Sequence, residues 1–389
     1  MKRKVMACCA FFTLLIGATL AQRYGDFAPP AQEPLHHSDP NLPEDSHHLV
    51  FLLQYLGNDY SRAVQEGRIL DSLEYGEMQN FSRTLVQAYR PSSQSGKRTR
   101  AGLEQLEKHI AAKAELPIIR NLCARLVGQM AQERNLLLFP LTAPDLNLGK
   151  QLFQENCVSC HGQYGAGNGP AADTLNPKPR DLTDPAYLDF VSPFHLYQAV
   201  TLGISGTAMP AFGEAFSTEQ SWSLAFHLMT LRRGFNPQKP KAKPTFTLQQ
   251  LATQSNTELQ RTLVLDPAAG TSSSYEKSSA LDHFRSRLPE LSMAERIEIS
   301  KTKWLQSLAC YHRGDSAQAL ANLVEGYMQG FELIEARLAN KVYLRVERLV
   351  TEYRWCIEEK GSYQKAKAFV DEMLKILEEI LKNPRMRRT

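Results

Sequence analysis

The chain has 389 residues, with 45 lysines and arginines against 41 aspartates and glutamates, and a formal net charge of +4. The basic residues are spread along the sequence, so the composition gives no support for nucleic-acid binding. Sequence motifs of serine hydrolases, zinc proteases and P-loop proteins are absent, so none of these enzyme classes is indicated. A chain of this length is expected to form two or three domains.

The first 21 residues have the pattern of a secretory signal peptide. Three basic residues, Lys2, Arg3 and Lys4, precede an apolar run that starts at Val5 and ends with small residues at Ala21. This pattern predicts export to the periplasm, with an uncleaved N-terminal membrane tether as the alternative, because the run just reaches bilayer-spanning length. Residues 22–46 are rich in proline and histidine and are predicted to form a flexible linker, with weak metal binding as the alternative.

Residues 47–140 are predicted to form an N-terminal helical region of four helices, because apolar residues recur at three- and four-residue intervals. The pattern is interrupted at Gly57, Gly67, residues 91–96 and Pro117. Glu74 and Glu77 are three positions apart, which places both carboxylates on one helix face, where they could bind one cation. The alternative is that this face is simply solvated.

The middle of the chain contains the sequence Cys157-Val158-Ser159-Cys160-His161. Two cysteines three positions apart and followed at once by histidine form the spacing that attaches haem c covalently. His161 is then the predicted proximal iron ligand. A zinc half-site or a redox disulfide is the alternative, but zinc would need a second ligand pair, and no further C-x-x-C or H-x3-H motif follows. One such motif predicts one haem.

A second axial ligand is predicted at Met209, beside Pro210. This methionine lies in a turn without apolar periodicity, so packing does not explain it, and thioether ligation raises the reduction potential of haem iron. His227 and Met229 are the competing ligands. Both lie in a stretch in which apolar residues recur at helical spacing, and core packing is the favoured interpretation for them.

Residues 237–279 are predicted to form a linker with one short helix, and residues 280–383 a C-terminal helical bundle. Glu332 and Glu335 in the bundle repeat the three-residue spacing and form a second candidate cation site, with a solvated helix face again as the alternative. Hard carboxylate ligands would favour ferric over ferrous iron. A disulfide between Cys310 and Cys356 and two buried thiols are both compatible with an oxidising compartment.

The region 143–234 resembles a class I cytochrome c domain. Gly149 and Phe153 precede the cysteine motif, and Trp222 and Phe226 follow Met209, where such domains cross their first and last helices. The resemblance implies an all-α fold in which a cytochrome c domain, residues 141–236, lies between the N-terminal and C-terminal helical regions. Arg180, in an irregular segment, is either a partner for a haem propionate or part of a surface turn.

The flanking regions resemble the extracytoplasmic part of bacterial high-affinity iron permeases that carry a cytochrome c domain in the same polypeptide. The resemblance rests on short phrases, at residues 53–60, 74–78, 251–256, 327–338 and 346–347. The multi-helix permease itself is absent from the sequence. The resemblance implies a mono-haem cytochrome that oxidises Fe2+ to Fe3+ for a separate membrane permease. The alternatives are a general periplasmic carrier whose helical regions dock redox partner proteins, and a haem sensor or interaction scaffold.

Overall fold

Helices form nearly all the regular structure of this computed structural model, which describes residues 46–91, 93–204, 206–239, 246–263, 273–383 and 386. Within these ranges the strands are β1 (Val64–Gln65) and β2 (Arg68–Ile69), which pair antiparallel in one hairpin. The predicted all-α fold is therefore confirmed. None of the described helices is long and apolar enough to cross a membrane. The predicted signal peptide, nearly all of the first linker and parts of the second lie outside the described residues.

Four helices before the cysteine motif pack as a closed bundle. They are α1 (Ser46–Ala63), α2 (Ser72–Ala88), α3 (Gln94–Ala111) and α4 (Leu116–Arg134). Helix α1 contacts α2 and α4, and α3 contacts the same two helices from the other side. The Asp71 side chain caps α2 by accepting hydrogen bonds from the backbone N–H groups of Leu73 and Glu74. Leu53, Leu56 and Leu126 are completely buried in the bundle core.

The described part of the central region contains five α-helices and one 3-10 helical turn (Ala172–Thr174). The α-helices are α5 (Leu146–Asn156), α6 (Val158–His161), α7 (Pro185–Leu188), α8 (Pro193–Leu202) and α9 (Thr218–Met229). Helix α9 begins with a capping box between Ser217 and Gln220 and packs against both α5 and α8. Phe153 of α5 is fully buried in a core that it shares with Leu188, Leu196 and Ala225.

The C-terminal region contains eight α-helices and one π-helical turn in the described residues. They are α10 (Leu248–Thr253), α11 (Asn256–Thr262), α12 (Ser274–Ser286), α13 (Met293–His312), α14 (Ser316–Gly326), the π-helical turn (Tyr327–Phe331), α15 (Glu332–Glu335), α16 (Asn340–Glu358) and α17 (Tyr363–Lys382). The π-helical turn connects α14 directly to α15. Helices α13, α14, α16 and α17 contact one another in a ring, which closes a second four-helix bundle.

The segment predicted as one short helix is two helices in the structure. A capping box between Ser255 and Glu258 starts α11 directly after α10 ends, so the chain turns instead of continuing one helix. Leu251 and Leu259, one from each helix, are completely buried in the same hydrophobic core as the N-terminal bundle. These helices therefore complete the N-terminal core.

Helix α13 belongs to both large hydrophobic cores. Ile299 is buried in the core of the N-terminal bundle, whereas Ile297 and Trp304 are buried in the core of the C-terminal bundle. Arg296 of the same helix donates hydrogen bonds to the carbonyl oxygens of Leu141 and Gln329, which belong to regions before and after it in the chain. The two bundles are thus joined through one continuous helix.

A buried ion pair joins the central region to α12. The guanidinium Nη2 of Arg232 lies 2.8 Å from both carboxylate oxygens of Asp282, and the two residues are 8% and 2% exposed. Asp282 also accepts a hydrogen bond from the backbone N–H of Asn236. On the same helix, the fully buried Arg285 donates to the carbonyl oxygens of Leu251 and Gln254, which holds α10 against α12.

Candidate haem site

Helix α6 is one turn long and carries the predicted haem-attachment residues. Cys157 ends α5 by donating its N–H to the carbonyl oxygen of Phe153, and its own carbonyl accepts the N–H of His161 at 2.9 Å. Cys157 and Cys160 are free thiols and are only partly buried. A single helical turn therefore presents two thiols and an imidazole, as covalent attachment of haem c requires.

The imidazole of His161 is held by a backbone carbonyl. Its Nδ1 lies 3.1 Å from the carbonyl oxygen of Arg180, and because a carbonyl oxygen only accepts, Nδ1 must carry the proton. Burial lowers the pKa of His161, which favours the neutral ring. This tautomer leaves the lone pair of Nε2 for a metal, the arrangement found in most metal-binding histidines.

The glycine-rich loop after His161 packs directly against the segment that contains Arg180. Gly167 has φ +72°, and a Cβ built on it would lie 2.5 Å from the carbonyl oxygen of Pro179. Its N–H donates to the carbonyl oxygen of His161 at 2.9 Å, and the N–H of Leu182 donates to the carbonyl oxygen of Gly165 at 2.6 Å. Only glycine fits this close approach at a positive φ. The two backbone segments thus form a cradle beside the imidazole.

Met209 lies half-buried in the loop between α8 and α9. Its N–H donates to the Thr207 hydroxyl at 3.1 Å and its carbonyl accepts the N–H of Ile204 at 3.2 Å, so the backbone around it is fixed. Phe212 and Gly213 then bond back to the carbonyls of Val200 and Thr201 at the end of α8. Met209 therefore lies in a loop whose backbone is held by hydrogen bonds.

The two competing ligands lie inside helix α9. Met229 is 1% exposed and belongs to the core of the central region. His227 is 7% exposed, and its ring centroid lies 6.0 Å from that of Phe153 on α5. Burial lowers the pKa of His227 to about 4, as expected for a neutral imidazole packed in a core. Two thiols, the Nε2 of His161 and the loop thioether of Met209 make a donor set that fits haem c.

Arg180 connects this cradle to the N-terminal bundle. Its Nη2 donates to Oδ1 of Asp59 in α1 at 2.8 Å, and its guanidinium stacks 4.7 Å above the ring of Tyr187. Asp59 is 4% exposed and also lies 3.8 Å from Arg62, which pairs with Glu74 at 3.1 Å. Arg180, predicted either to pair with a haem propionate or to lie in a surface turn, thus donates one N–H to the buried carboxylate of Asp59.

The N-terminal glutamates lie at the end of this chain of ion pairs. Oε2 of Glu74 is buried without a hydrogen-bond partner in the described part of the chain. The pKa of Glu77 is raised, mainly by partial burial and to a lesser extent by the negative charge of Glu74. The pKa of Tyr55 is also raised, mainly by burial and to a lesser extent by the carboxylates of Asp59, Glu77 and Glu74. The structure therefore brings the two predicted glutamates together on α2, facing Tyr55 of α1.

The C-terminal glutamates are arranged differently. Glu332 is exposed, whereas Glu335 is half-buried and accepts a hydrogen bond from the Tyr327 hydroxyl at 3.2 Å. The same hydroxyl lies 3.3 Å from Oε1 of Glu347 on α16, and burial and these two carboxylates raise the pKa of Tyr327. Across the described ranges, no group of three or more His, Cys, Asp and Glu side chains is arranged to hold a metal ion.

The sequence of the central region matches the family described as cytochrome c oxidase, cbb3-type, subunit III, over residues 144–228. Residues 144–228 form a cytochrome c domain. Such a domain implies a covalently bound haem c, one-electron transfer and a redox partner. The matched residues include the three of the attachment motif and Met209, while both flanking bundles lie outside the match.

The other comparisons add little to this assignment. No curated protein matches the chain significantly. A solved chain of the Kuenenia stuttgartiensis reducing HAO-like protein complex Kustc0457/Kustc0458 is 24% identical, over 31% of this chain and 61% of its own length, with a TM-score of 0.24. The match therefore spans less than two thirds of that chain, at a score too low to indicate a shared overall fold.

One residue of the site was not predicted from the sequence. Asp59 had no assigned role, although it interrupts the buried face of α1 between Leu56 and Tyr60. A carboxylate on an otherwise apolar helix face requires a buried partner, and this is the signal that points to it. Its partner, Arg180, is 121 positions away in the sequence.

Proposed function

We propose that the protein is a periplasmic electron carrier with one haem c bound by Cys157, Cys160, His161 and Met209. The observation that supports this function best is the one-turn helix that carries both thiols and the imidazole, with Nδ1 of His161 bonded to the Arg180 carbonyl at 3.1 Å. The predicted signal peptide supports the location, because haem c is attached outside the cytoplasmic membrane.

Haem c would supply the one-electron couple between ferric and ferrous iron. The chain's own residues would set the conditions for it. Cys157 and Cys160 would hold the macrocycle through thioether bonds, His161 would provide a neutral nitrogen, and Met209 would provide a soft ligand that favours the ferrous state. Ligands fixed in this way would keep the reorganisation energy small when the charge on the iron changes. The flanking bundles are then available for docking redox partner proteins.

Covalent attachment is tested by expressing the exported protein with a haem c maturation system and detecting haem after denaturing electrophoresis. We expect one haem per chain in the wild type and none in Cys157→Ala/Cys160→Ala. The matched control is Cys123→Ala, a buried cysteine in α4 outside the motif, which should keep its haem. Haem loss in the control, or haem retained in the double variant, would contradict the assignment.

Iron oxidation is a second candidate function, and the unpartnered Oε2 of Glu74 beside Glu77, in the part of the chain that the structure describes, favours it. A cation near these carboxylates would replace the missing hydrogen bond of Glu74. In this reaction Fe2+ would be the substrate: it would give up one electron at the haem site, a redox partner protein would then remove that electron, and the iron would leave as Fe3+. Carboxylate oxygens drive the reaction forward because they bind ferric iron more tightly. A separate membrane iron permease would then receive the Fe3+.

Anaerobic stopped-flow mixing of the ferric protein with Fe2+ tests this second function. We expect fast, saturable haem reduction that Glu74→Gln/Glu77→Gln abolishes. Glu332→Gln/Glu335→Gln tests the C-terminal pair in the same way. A matched control is Glu104→Gln/Glu107→Gln, which removes two carboxylates at the same spacing from α3. Slow, unsaturable reduction that no variant changes would leave the protein a general electron carrier.

A further inference from the structure

Arg180 forms hydrogen bonds with both the candidate proximal ligand and the N-terminal bundle. Its carbonyl oxygen accepts from Nδ1 of His161 at 3.1 Å, while its guanidinium donates to Asp59 at 2.8 Å. The carbonyl and the guanidinium belong to the same residue, so the pair with Asp59 holds the backbone that carries this carbonyl against the N-terminal bundle.

The anchor at the far end of this connection is rigid. Asp59 is 4% exposed and lies in α1, which packs against α2, α4 and α8. The guanidinium is fixed from a second direction by the ring of Tyr187, 4.7 Å from its central carbon. By contrast, the neighbouring Lys178 is largely exposed and pairs with the exposed Asp173 of the same loop. The Arg180 side chain therefore ties this loop to the N-terminal bundle.

We propose that Asp59 is a positioning residue for the proximal histidine. Asp59 holds Arg180, and this fixes the Arg180 carbonyl oxygen that accepts the hydrogen bond from Nδ1–H of His161. The N-terminal bundle thereby sets the reduction potential of the haem. This inference rests on the proposed haem c function but assigns a role to a residue outside the cytochrome c domain.

The direction of the effect follows from the chemistry of the ligand. A well-aligned hydrogen bond from Nδ1–H makes the imidazole a stronger donor through Nε2, which stabilises ferric iron and lowers the potential. If Asp59 no longer holds Arg180, the carbonyl moves more freely and the bond weakens. The potential should then rise.

A simple charge effect must be separated from positioning. Asp59→Ala removes the acceptor for the Arg180 guanidinium, but it also leaves the positive charge of Arg180 unbalanced, and a positive charge near the haem raises the potential by itself. The double variant Asp59→Ala/Arg180→Gln removes both charges, so the local net charge is unchanged while the tie is lost. Positioning predicts that the double variant keeps the raised potential, and a charge effect predicts that it returns to the wild-type value.

Spectroelectrochemical titration of the holoprotein measures this. We expect Asp59→Ala and the double variant both to favour reduction by about three- to tenfold, where tenfold is about 59 mV for a one-electron couple. Lys178→Gln removes one charge from the same loop, but that charge is exposed and screened by solvent, so the potential should stay close to the wild-type value. A double variant at the wild-type potential, or no shift in Asp59→Ala, would overturn the proposal.

Proton exchange at Nδ1 of His161, followed by NMR in the ferrous holoprotein, gives a second readout. We expect faster exchange in Asp59→Ala, and exchange as slow as in the wild type would count against positioning. This single variant decides the question if the double variant does not fold. A wild type that binds no covalent haem would instead refute the proposed function, so the two failures are distinguishable.

Discussion

Gly149 of α5 lies so close to Ser223 of α9 that a Cβ on the glycine would overlap the serine carbonyl. The Asp145 N–H, one turn earlier, donates to the Ser223 hydroxyl at 3.1 Å, so the crossing is fixed from two sides. The first and last helices of the cytochrome c domain therefore meet backbone to backbone, which only glycine at position 149 allows.

Gly149→Ala should destabilise the protein by about 1–3 kcal/mol, because the two helices must move apart to admit the methyl group. Gly128→Ala is the matched control, since Gly128 is also inside a helix but has open space where a Cβ would lie. That change should stabilise by about 0.4–1 kcal/mol. Urea unfolding of both variants measures the difference, and equal midpoints would show that the crossing tolerates a side chain.

Met209→Ala should lower the reduction potential by more than about 59 mV, a tenfold change for one electron, because a soft ligand that favours ferrous iron is lost. The open coordination position should also let the ferrous protein bind carbon monoxide. Met229→Leu, a buried and nearly isosteric change, should keep the potential and cost less than about 1.5 kcal/mol of stability. If Met229→Leu instead opened the iron to carbon monoxide, Met229 would be the ligand.

Acid should destabilise the fold through two buried histidines. Burial lowers the pKa of both His195 and His227 to about 4, whereas an unfolded histidine titrates near 6.5. Below pH 6.5 the unfolded chain therefore takes up protons that the folded chain refuses, so stability falls as the pH drops from 6.5 to 4. At pH 5 each histidine should cost about 2 kcal/mol.

Thermal unfolding between pH 7 and pH 5 tests this dependence. His195→Gln should remove about 2 kcal/mol of the loss at pH 5, because His195 is enclosed against Phe51 and its glutamine replacement does not titrate. A variant that loses stability with pH as steeply as the wild type would show that other groups cause the acid sensitivity.

Asp282→Asn should cost about 3–5 kcal/mol, because it leaves the buried guanidinium of Arg232 without the carboxylate whose two oxygens accept from its Nη2. Asp189 lies 3.5 Å from Nε of Arg232 and should keep the loss near the lower end of that range. The control is Arg345→Gln, which breaks a half-exposed pair with Glu372 and should cost less than about 1 kcal/mol. Chemical unfolding compares the two, and equal losses would contradict a special role for the buried pair.

The sequence predicted those parts of the site whose chemistry is local. Cys157, Cys160 and His161 occupy one helical turn, so their spacing alone indicates haem attachment. The tie between Asp59 and Arg180 joins residues 121 positions apart, and no periodicity describes a contact between one helix face and a distant loop. For Cys310 and Cys356, composition left a disulfide open, whereas the structure leaves both as buried free thiols.

Helical periodicity indicated the all-α class, because a 3.6-residue repeat of apolar residues reflects one buried face. It did not show which core each helix would join. Leu251 and Leu259 lie in a stretch that resembles a linker in its length and polar neighbours, yet both are completely buried. Their burial depends on α8, which packs against α10, and on α12, which packs against α11, and these surfaces form only when separate segments of the chain come together.

The sharing of α13 between two cores restricts how the chain can change its length. Ile299 and Trp304 point into different bundles from one uninterrupted helix. One extra residue between them would rotate everything that follows by about 100° and shift it by about 1.5 Å, so one bundle would lose its register with the other. Insertions here should be accepted only in near-multiples of a whole turn, a restriction of register that does not apply outside the helix.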